Sequence, residues 1–335
     1  MMKKKSKKTV LFVYSFWTPF IARDLRLLEK NFNVIRMDFS KKGLTSIIKL
    51  IKYLLRSEIS ISRFAGWHAA AASVISRLLN KKSVVIVGGT DAACIPKIGY
   101  GVFTTLKGKV GAKLTYRYVD LILPISDFLK ECLINNVGGH LISKIRVIQN
   151  AFDYKDWVSG NTKENIVLTV SHISRKRIKT KGLDTFVKTA RYLPNTKFVL
   201  IGGDLDGSLK ELQAIAPQNV EFIGPVPHEK ILLWYQKAKV YCQLSLFEGF
   251  GNALGEAMLC ECIPVVTNSS ELPNIIGNCG FIVPYASPKI TANAIQKALR
   301  APVDLGKKCR KKIIQDYPIE KRERELISII QKLVG

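Results

Sequence analysis

The chain has 335 residues, 47% of them hydrophobic, and carries 52 Lys and Arg against 26 Asp and Glu, a net charge of +26. That length is more than one core of about 100–200 residues holds, so two domains are expected, and the apolar content excludes a disordered chain. No window of about 18 uncharged apolar residues occurs, so no spanning helix is expected.

Residues 1–8, MMKKKSKK, read as a solvated basic tail rather than a signal peptide. The apolar run TVLFVYSF (9–16), stopped by a Thr-Pro turn, predicts a buried strand. Helical spacing follows over 21–31, a strand over 33–39 and a basic amphipathic helix over 43–57. Residues 58–82 give no clear element. Further strands are predicted at 83–89, ending in a glycine pair, at 120–126, and at 144–153 after a helix in DFLKECLINN. The polar, turn-rich DYKDWVSGNTKEN then interrupts, and the rhythm restarts. Strands are expected at 165–174, 197–203, 219–224, 239–245 and 263–268, with helices between, including 182–193. Strands alternating with helices mean parallel doubly wound sheets. The expectation is an α/β chain of two Rossmann-like domains facing across a cleft, 1–155 and 156–310, with a closing helix over 311–335 that packs back on the first domain. In such sheets ligands bind beyond the carboxyl ends of the strands.

The charge is lopsided. Residues 1–150 hold 26 basic and 8 acidic side chains, a net +18. This excess exceeds what solubility needs and points to an anionic partner. Seven scattered cysteines with no C-x2-C pair, and four dispersed histidines, argue against a zinc site and for free thiols.

Residues 247–258, FEGFGNALGEAM, carry the most chemistry. Gly249 and Gly251 let backbone amides approach a ligand, and the helix that follows offers its positive end to an anion. Glu248 and Glu256 bracket the turn, and a carboxylate accepting two hydrogen bonds suits a vicinal diol. Phosphate on the amides with sugar hydroxyls on the carboxylates describes a nucleotide sugar. In SRKRIKTKGLDTF (174–186), Arg175 and Lys181 are placed to neutralise a diphosphate leaving group. Taken alone, that segment is equally a solvated basic loop.

In combination these segments resemble the retaining glycosyltransferases of family four, with the two-domain GT-B fold. The resemblance rests on SHISRKRIKTKGLDTF, KFVLIGGD, the run from NVEFIG to LGEAM, IPVVTNSSELPNII and GFIVP, and more loosely on SDFLKECLINN and KIRVIQNAFDYKDW. It covers about two thirds of the chain. It implies that Arg175 and Lys181 hold the donor diphosphate and that Glu256 binds the ribose hydroxyls. Glu248, with main-chain groups of Gly251, Asn252, Ala253 and Leu254, would contact the donor sugar and distal phosphate, and Val226 would lie near the base. It also implies transfer with retention and no cofactor or metal. The D-x-D of GGDLDG (Asp204, Asp206) is accordingly read as loop structure. Two features depart from the family pattern. SFWTPF (15–20) replaces a glycine pair, and VIVGGTDAA (85–93) lacks a histidine, leaving Asp91 either to act in its place as a catalytic group or to cap a helix. His172 and His228 are read as structural or surface residues.

Lys3–Lys5, Lys7, Lys8, Lys49, Lys52, Arg56, Lys107, Lys109, Lys113 and Arg117 would give the first domain a cationic face suited to an anionic membrane. The expected function is transfer of a sugar from a UDP- or GDP-sugar to a lipid-linked or cell-surface glycan precursor. The enzyme would be cytoplasmic and peripheral on the inner membrane face. The rivals are a transferase with a soluble acceptor, a nucleotide-sugar epimerase and, remotely, a nucleic-acid-binding protein, for which no binding motif speaks.

Overall fold

A computed structural model describes residues 7–41 and 43–335. Lys3–Lys5 lie outside the described residues. The chain divides into two compact units, one running to Gln149 and including Glu320–Gly335, the other Asn150–Ile319.

The first unit has five strands, β1 (Thr9–Tyr14), β2 (Asn33–Asp38), β3 (Ile59–Arg63), β4 (Lys82–Val87) and β5 (Leu121–Pro124). They are parallel throughout, in the order β2-β1-β3-β4-β5. Helices cover such sheets on both faces, which is why β1 and β4 are continuous apolar runs. β3 and the helix Trp67–Leu78 occupy the stretch without a clear sequence signal. The strand alternates Ile with Ser, and its buried Ser60 hydroxyl lies 3.0 Å from that of Ser76 on the helix. Paired hydroxyls make these polar residues core residues. The strand expected over 144–153 is instead a 3-10 turn, Gly139–Lys144, and an extended segment. Its Arg146 and Ile148 amides donate to the carbonyls of Ile122 and Pro124, but only Ile145 forms a bridge to β5.

The helix Leu44–Leu55 packs Leu50 and Leu54 into a core with Leu11, Val13, Met37, Phe39 and Ala72. Two helices, Val303–Asp316 and Ile319–Val334, stand where one was expected over 311–335. Pro318 separates them, since the residue before a proline is driven out of the helical region. Arg322 on the second is buried in the first unit. It makes a two-pronged contact with Asp24 at 2.8 and 3.0 Å and donates to the carbonyls of Ile148 and Gln149. Arg63 completes a buried ionic cluster, 3.4 Å from Asp24 and set against the rings of Phe20 and Phe64. Burial alone would raise the Asp24 pKa, but Arg322 and Arg63 together hold it down at about 2.

The second unit has six parallel strands, β6 (Glu164–Val170), β7 (Lys197–Ile201), β8 (Val220–Gly224), β9 (Ala238–Gln243), β10 (Ile263–Thr267) and β11 (Phe281–Val283). Their order is β11-β10-β9-β6-β7-β8. Val167, Phe198, Val240 and Val265 from the sheet, with Phe186 and Ile295 from the helices, form its core. All seven cysteines are free thiols.

Candidate functional site

β6 and β9 are neighbours although β7 and β8 separate them in the chain. The strand order reverses at this pair, and a crevice opens beyond the carboxyl ends of strands at such a point. Two segments leave those ends. One runs from β6 into the short helix Arg175–Thr180 and on to Lys181, the other from β9 through Glu248 into the helix Asn252–Leu259.

Local backbone chemistry draws these segments together. Ser174 caps the first, its hydroxyl accepting from the Arg177 amide. Gly182 follows Lys181 with φ +63°, and a Cβ there would lie 2.1 Å from the Leu244 carbonyl oxygen. Only glycine lets the chain pass the end of β9 at that distance. The Leu246 amide donates to the Thr180 carbonyl at 2.8 Å and pins the two segments.

Lys181 thereby reaches Glu248, with Nζ 2.5 Å from Oε2. The same oxygen accepts from Gln243 Nε2 at 3.0 Å and the Ser245 hydroxyl at 3.5 Å, and the Glu248 amide donates to the Ser270 hydroxyl. Gln243 is itself oriented by the Tyr241 hydroxyl at 3.0 Å. The pair is mostly shielded, at 17% and 16% exposure, so its attraction is weakly screened.

Gly251 precedes the second helix at φ +86° and has no side chain with which to cap it. Main-chain groups of Asn252, Ala253 and Leu254 open that helix. The Leu254 side chain is in the core, so only its main chain serves the site. Asn252 accepts from Asn150 through its Oδ1 at 3.2 Å. One turn on, Glu256 is buried with His228 Nε2 3.2 Å from Oε1, and it accepts from the Tyr235 hydroxyl at 3.4 Å. Burial, reinforced by the Glu256 charge, raises the Tyr235 pKa well above its usual value and keeps it a donor. Trp157 packs edge-on against His228, ring centres 5.2 Å apart. Val226 is half-buried, two residues before His228 in the turn from β8.

Arg175 is held elsewhere. Its Nε and Nη2 donate to Glu211 at 3.2 and 3.0 Å, and its amide donates to Asp206. At 83% exposure it is the open cation of the set, against 17% for Lys181. Asp204 accepts from the amides of Asp206, Gly207 and Leu209, so both aspartates of the D-x-D shape their own loop.

Asp91 belongs to the first unit. It is 1% exposed, and its carboxylate accepts from the amides of Ala65, Gly88 and Gly89 at 2.8–3.0 Å. Burial raises its pKa against those hydrogen bonds. Its oxygens therefore hold the loop after β4 to the end of β3. The catalytic placement weighed from the sequence is replaced by this loop-holding one, because every oxygen faces backbone.

Sequence reasoning missed Gln243, Ser245, Glu211 and the contact of His228 with Glu256. Gln243 and Ser245 carried a signal, as polar residues closing an apolar strand. Glu211 and His228 reach the site only through tertiary folding.

Residues 153–316 match the family glycosyl transferases group 1. The chain is 27% identical over 190 residues to a phosphatidylinositol N-acetylglucosaminyltransferase of Arabidopsis thaliana, covering 54% of this chain and 42% of that protein. It is 28% identical over 214 residues to the N-acetylgalactosamine-N,N'-diacetylbacillosaminyl-diphospho-undecaprenol 4-alpha-N-acetylgalactosaminyltransferase of Campylobacter jejuni, covering 58% and 54%. It thus spans about half the length of these curated relatives. Among solved structures, Anabaena Alr3699/HepE in complex with UDP and glucose superposes with a TM-score of 0.80 at 15% identity, covering 97% of this chain and 99% of that one. Sucrose-phosphate synthase of Thermosynechococcus elongatus gives 0.78 at 16% identity, covering 98% and 99%. These likenesses show the GT-B fold.

Proposed function

Through residues 153–316 the chain belongs to the glycosyl transferases group 1, and from that premise we propose that it transfers a sugar from a UDP- or GDP-sugar to a lipid-linked or cell-surface glycan precursor. The observation that carries the proposal is the Lys181–Glu248 pair, fixed beyond the carboxyl ends of β6 and β9 beside the glycine-led start of the helix bearing Glu256.

An ammonium has three donors. One serves Glu248, leaving Lys181 two for oxygens of the donor diphosphate. Arg175 exchanges Glu211 for the same diphosphate, so cations that bind the substrate also neutralise the charge that grows on the leaving group. These two cations supply that neutralisation without a metal. Glu256, oriented by His228 and Tyr235, accepts from the ribose hydroxyls. Glu248 accepts from a hydroxyl of the transferred sugar, and main-chain amides at 251–254 receive the distal phosphate. Retention follows if the leaving phosphate takes the proton of the acceptor hydroxyl on the face it departs from. The relatives named for lipid-linked and phosphatidylinositol acceptors support an acceptor of that class.

Thermal unfolding with a panel of nucleoside diphosphates and nucleotide sugars tests the reading. A ligand that binds only the native state raises Tm. One base should stabilise the wild type, and Glu256→Ala and Arg175→Ala should each reduce the shift. No shift with any nucleotide at saturation would refute the donor site.

A further inference from the structure

The helix Leu44–Leu55 has two apolar sides, and only one is used by the fold. Leu50 and Leu54 face the core, while Leu44, Ile48, Ile51 and Leu55 are 76%, 59%, 37% and 60% exposed. At 100° per residue these four fall within a stripe about 60° wide. Lys49, Lys52 and Arg56 are exposed along one flank of it, and the helix contains no acidic residue. Single exposed apolar side chains are ordinary, but an aligned row of four is not.

The stripe begins at a particular edge. The helix Leu44–Leu55 starts beyond the carboxyl end of β2. Phe16 and Trp17 follow β1, Trp67 opens the helix after β3, and Leu106 opens the helix Leu106–Tyr118, after β4; all four are exposed. An apolar rim therefore runs along the carboxyl edge of this sheet and continues down the Leu44–Leu55 stripe. Lys107, Lys109, Lys113 and Arg117 lie on the Leu106–Tyr118 helix, again without an acidic residue.

We infer that this surface inserts Leu44, Ile48, Ile51 and Leu55 into the interface of an anionic lipid bilayer. The charge selects that occupant. Aliphatic side chains beside lysines suit acyl chains beneath anionic headgroups, whereas a second copy of the chain would set lysine against lysine. The inference deepens the reading of a lipid-linked acceptor, on which it rests, by giving the membrane a place on the molecule. It predicts insertion, which the basic residues alone would not require.

The test is co-sedimentation of the full chain with vesicles of phosphatidylcholine alone or mixed with phosphatidylglycerol, at about 0.1 M and about 0.5 M salt, where screening differs most. Wild type should prefer the anionic vesicles and keep part of its binding at high salt. The double variant I48S/I51S should bind at least tenfold more weakly at both salts, and K49Q/K52Q/R56Q should lose binding mainly at low salt. Equal binding of I48S/I51S and wild type would overturn insertion. So would a wild-type dimer that I48S/I51S converts to monomer, which would make the stripe a contact between copies. Each variant is also melted with the stabilising nucleotide. An unchanged shift keeps a failure of membrane binding separate from a failure of the donor reading.

Discussion

The carboxyl edges of the two sheets carry opposite chemistry. In the second unit the edge is polar and paired: Lys181 with Glu248, Glu256 with His228, Arg175 with Glu211. In the first unit it is apolar and exposed, with Phe16, Trp17, Leu44, Trp67 and Leu106 at the ends of successive strands. Its strongest charges are not at the edge but buried, in the cluster of Asp24, Arg63 and Arg322. One fold thus offers a pre-arranged polar site for a charged, hydroxyl-rich ligand and a surface for an amphipathic one. The topology of parallel strands places both at the same kind of edge, and side chains decide what each receives.

The largest test of this contrast concerns the buried cluster. Asp24→Ala leaves two arginines buried without a carboxylate, and breaking such a pair costs about 3–5 kcal/mol. Urea unfolding should show that loss. The pH dependence has a definite sign. The folded pKa of Asp24, about 2, lies below its ordinary 3.8, so its stabilisation is present above the ordinary value and is lost as pH falls toward about 2. The acid limb of the wild-type stability curve should carry on the order of 2 kcal/mol from this group, and Asp24→Ala should lack it.

Next in size is Gly182→Ala. A left-handed backbone and a contact with the Leu244 oxygen should cost more than about 2 kcal/mol. Nucleotide binding should weaken further than the stability loss explains. If Gly182→Ala binds nucleotide like the wild type, the turn is not what sets Lys181.

Lys181→Ala removes a charged hydrogen-bonding partner of the diphosphate, worth about 1.5–3 kcal/mol, or roughly 10- to 100-fold in nucleotide Kd by calorimetry. His228→Ala is milder. It frees one oxygen of Glu256 and should weaken ribonucleotide binding about threefold to tenfold, leaving the 2′-deoxynucleotide nearly unaffected. Equal losses for both sugars would remove His228 from the ribose. The smallest effect is Ile48→Ser on stability, within about 0.5 kcal/mol because the side chain has no packing to lose.

These effects also mark what was legible in the sequence. The apolar runs of β1, β4, β6, β7, β9 and β10 announce themselves, and so does the glycine turn between Glu248 and Glu256. β3 does not, because its serines are satisfied by a partner that only the fold supplies. The Leu44–Leu55 helix is apolar on two sides, and periodicity cannot say which one the sheet takes. Asp91 reads as a stand-in for a histidine because its position after β4 is visible in the sequence, while its three amide partners are not. His228 precedes Glu256 by 28 residues and meets it only because β8 and β9 end in the same unit.

The most direct measurement is hydrogen exchange of the full chain with and without the stabilising nucleoside diphosphate. Protection should concentrate at 171–183 and 244–256, the segments leaving β6 and β9, with a smaller effect around 226–228. Protection confined to the first unit, or none at saturating nucleotide, would contradict a donor site at that strand pair.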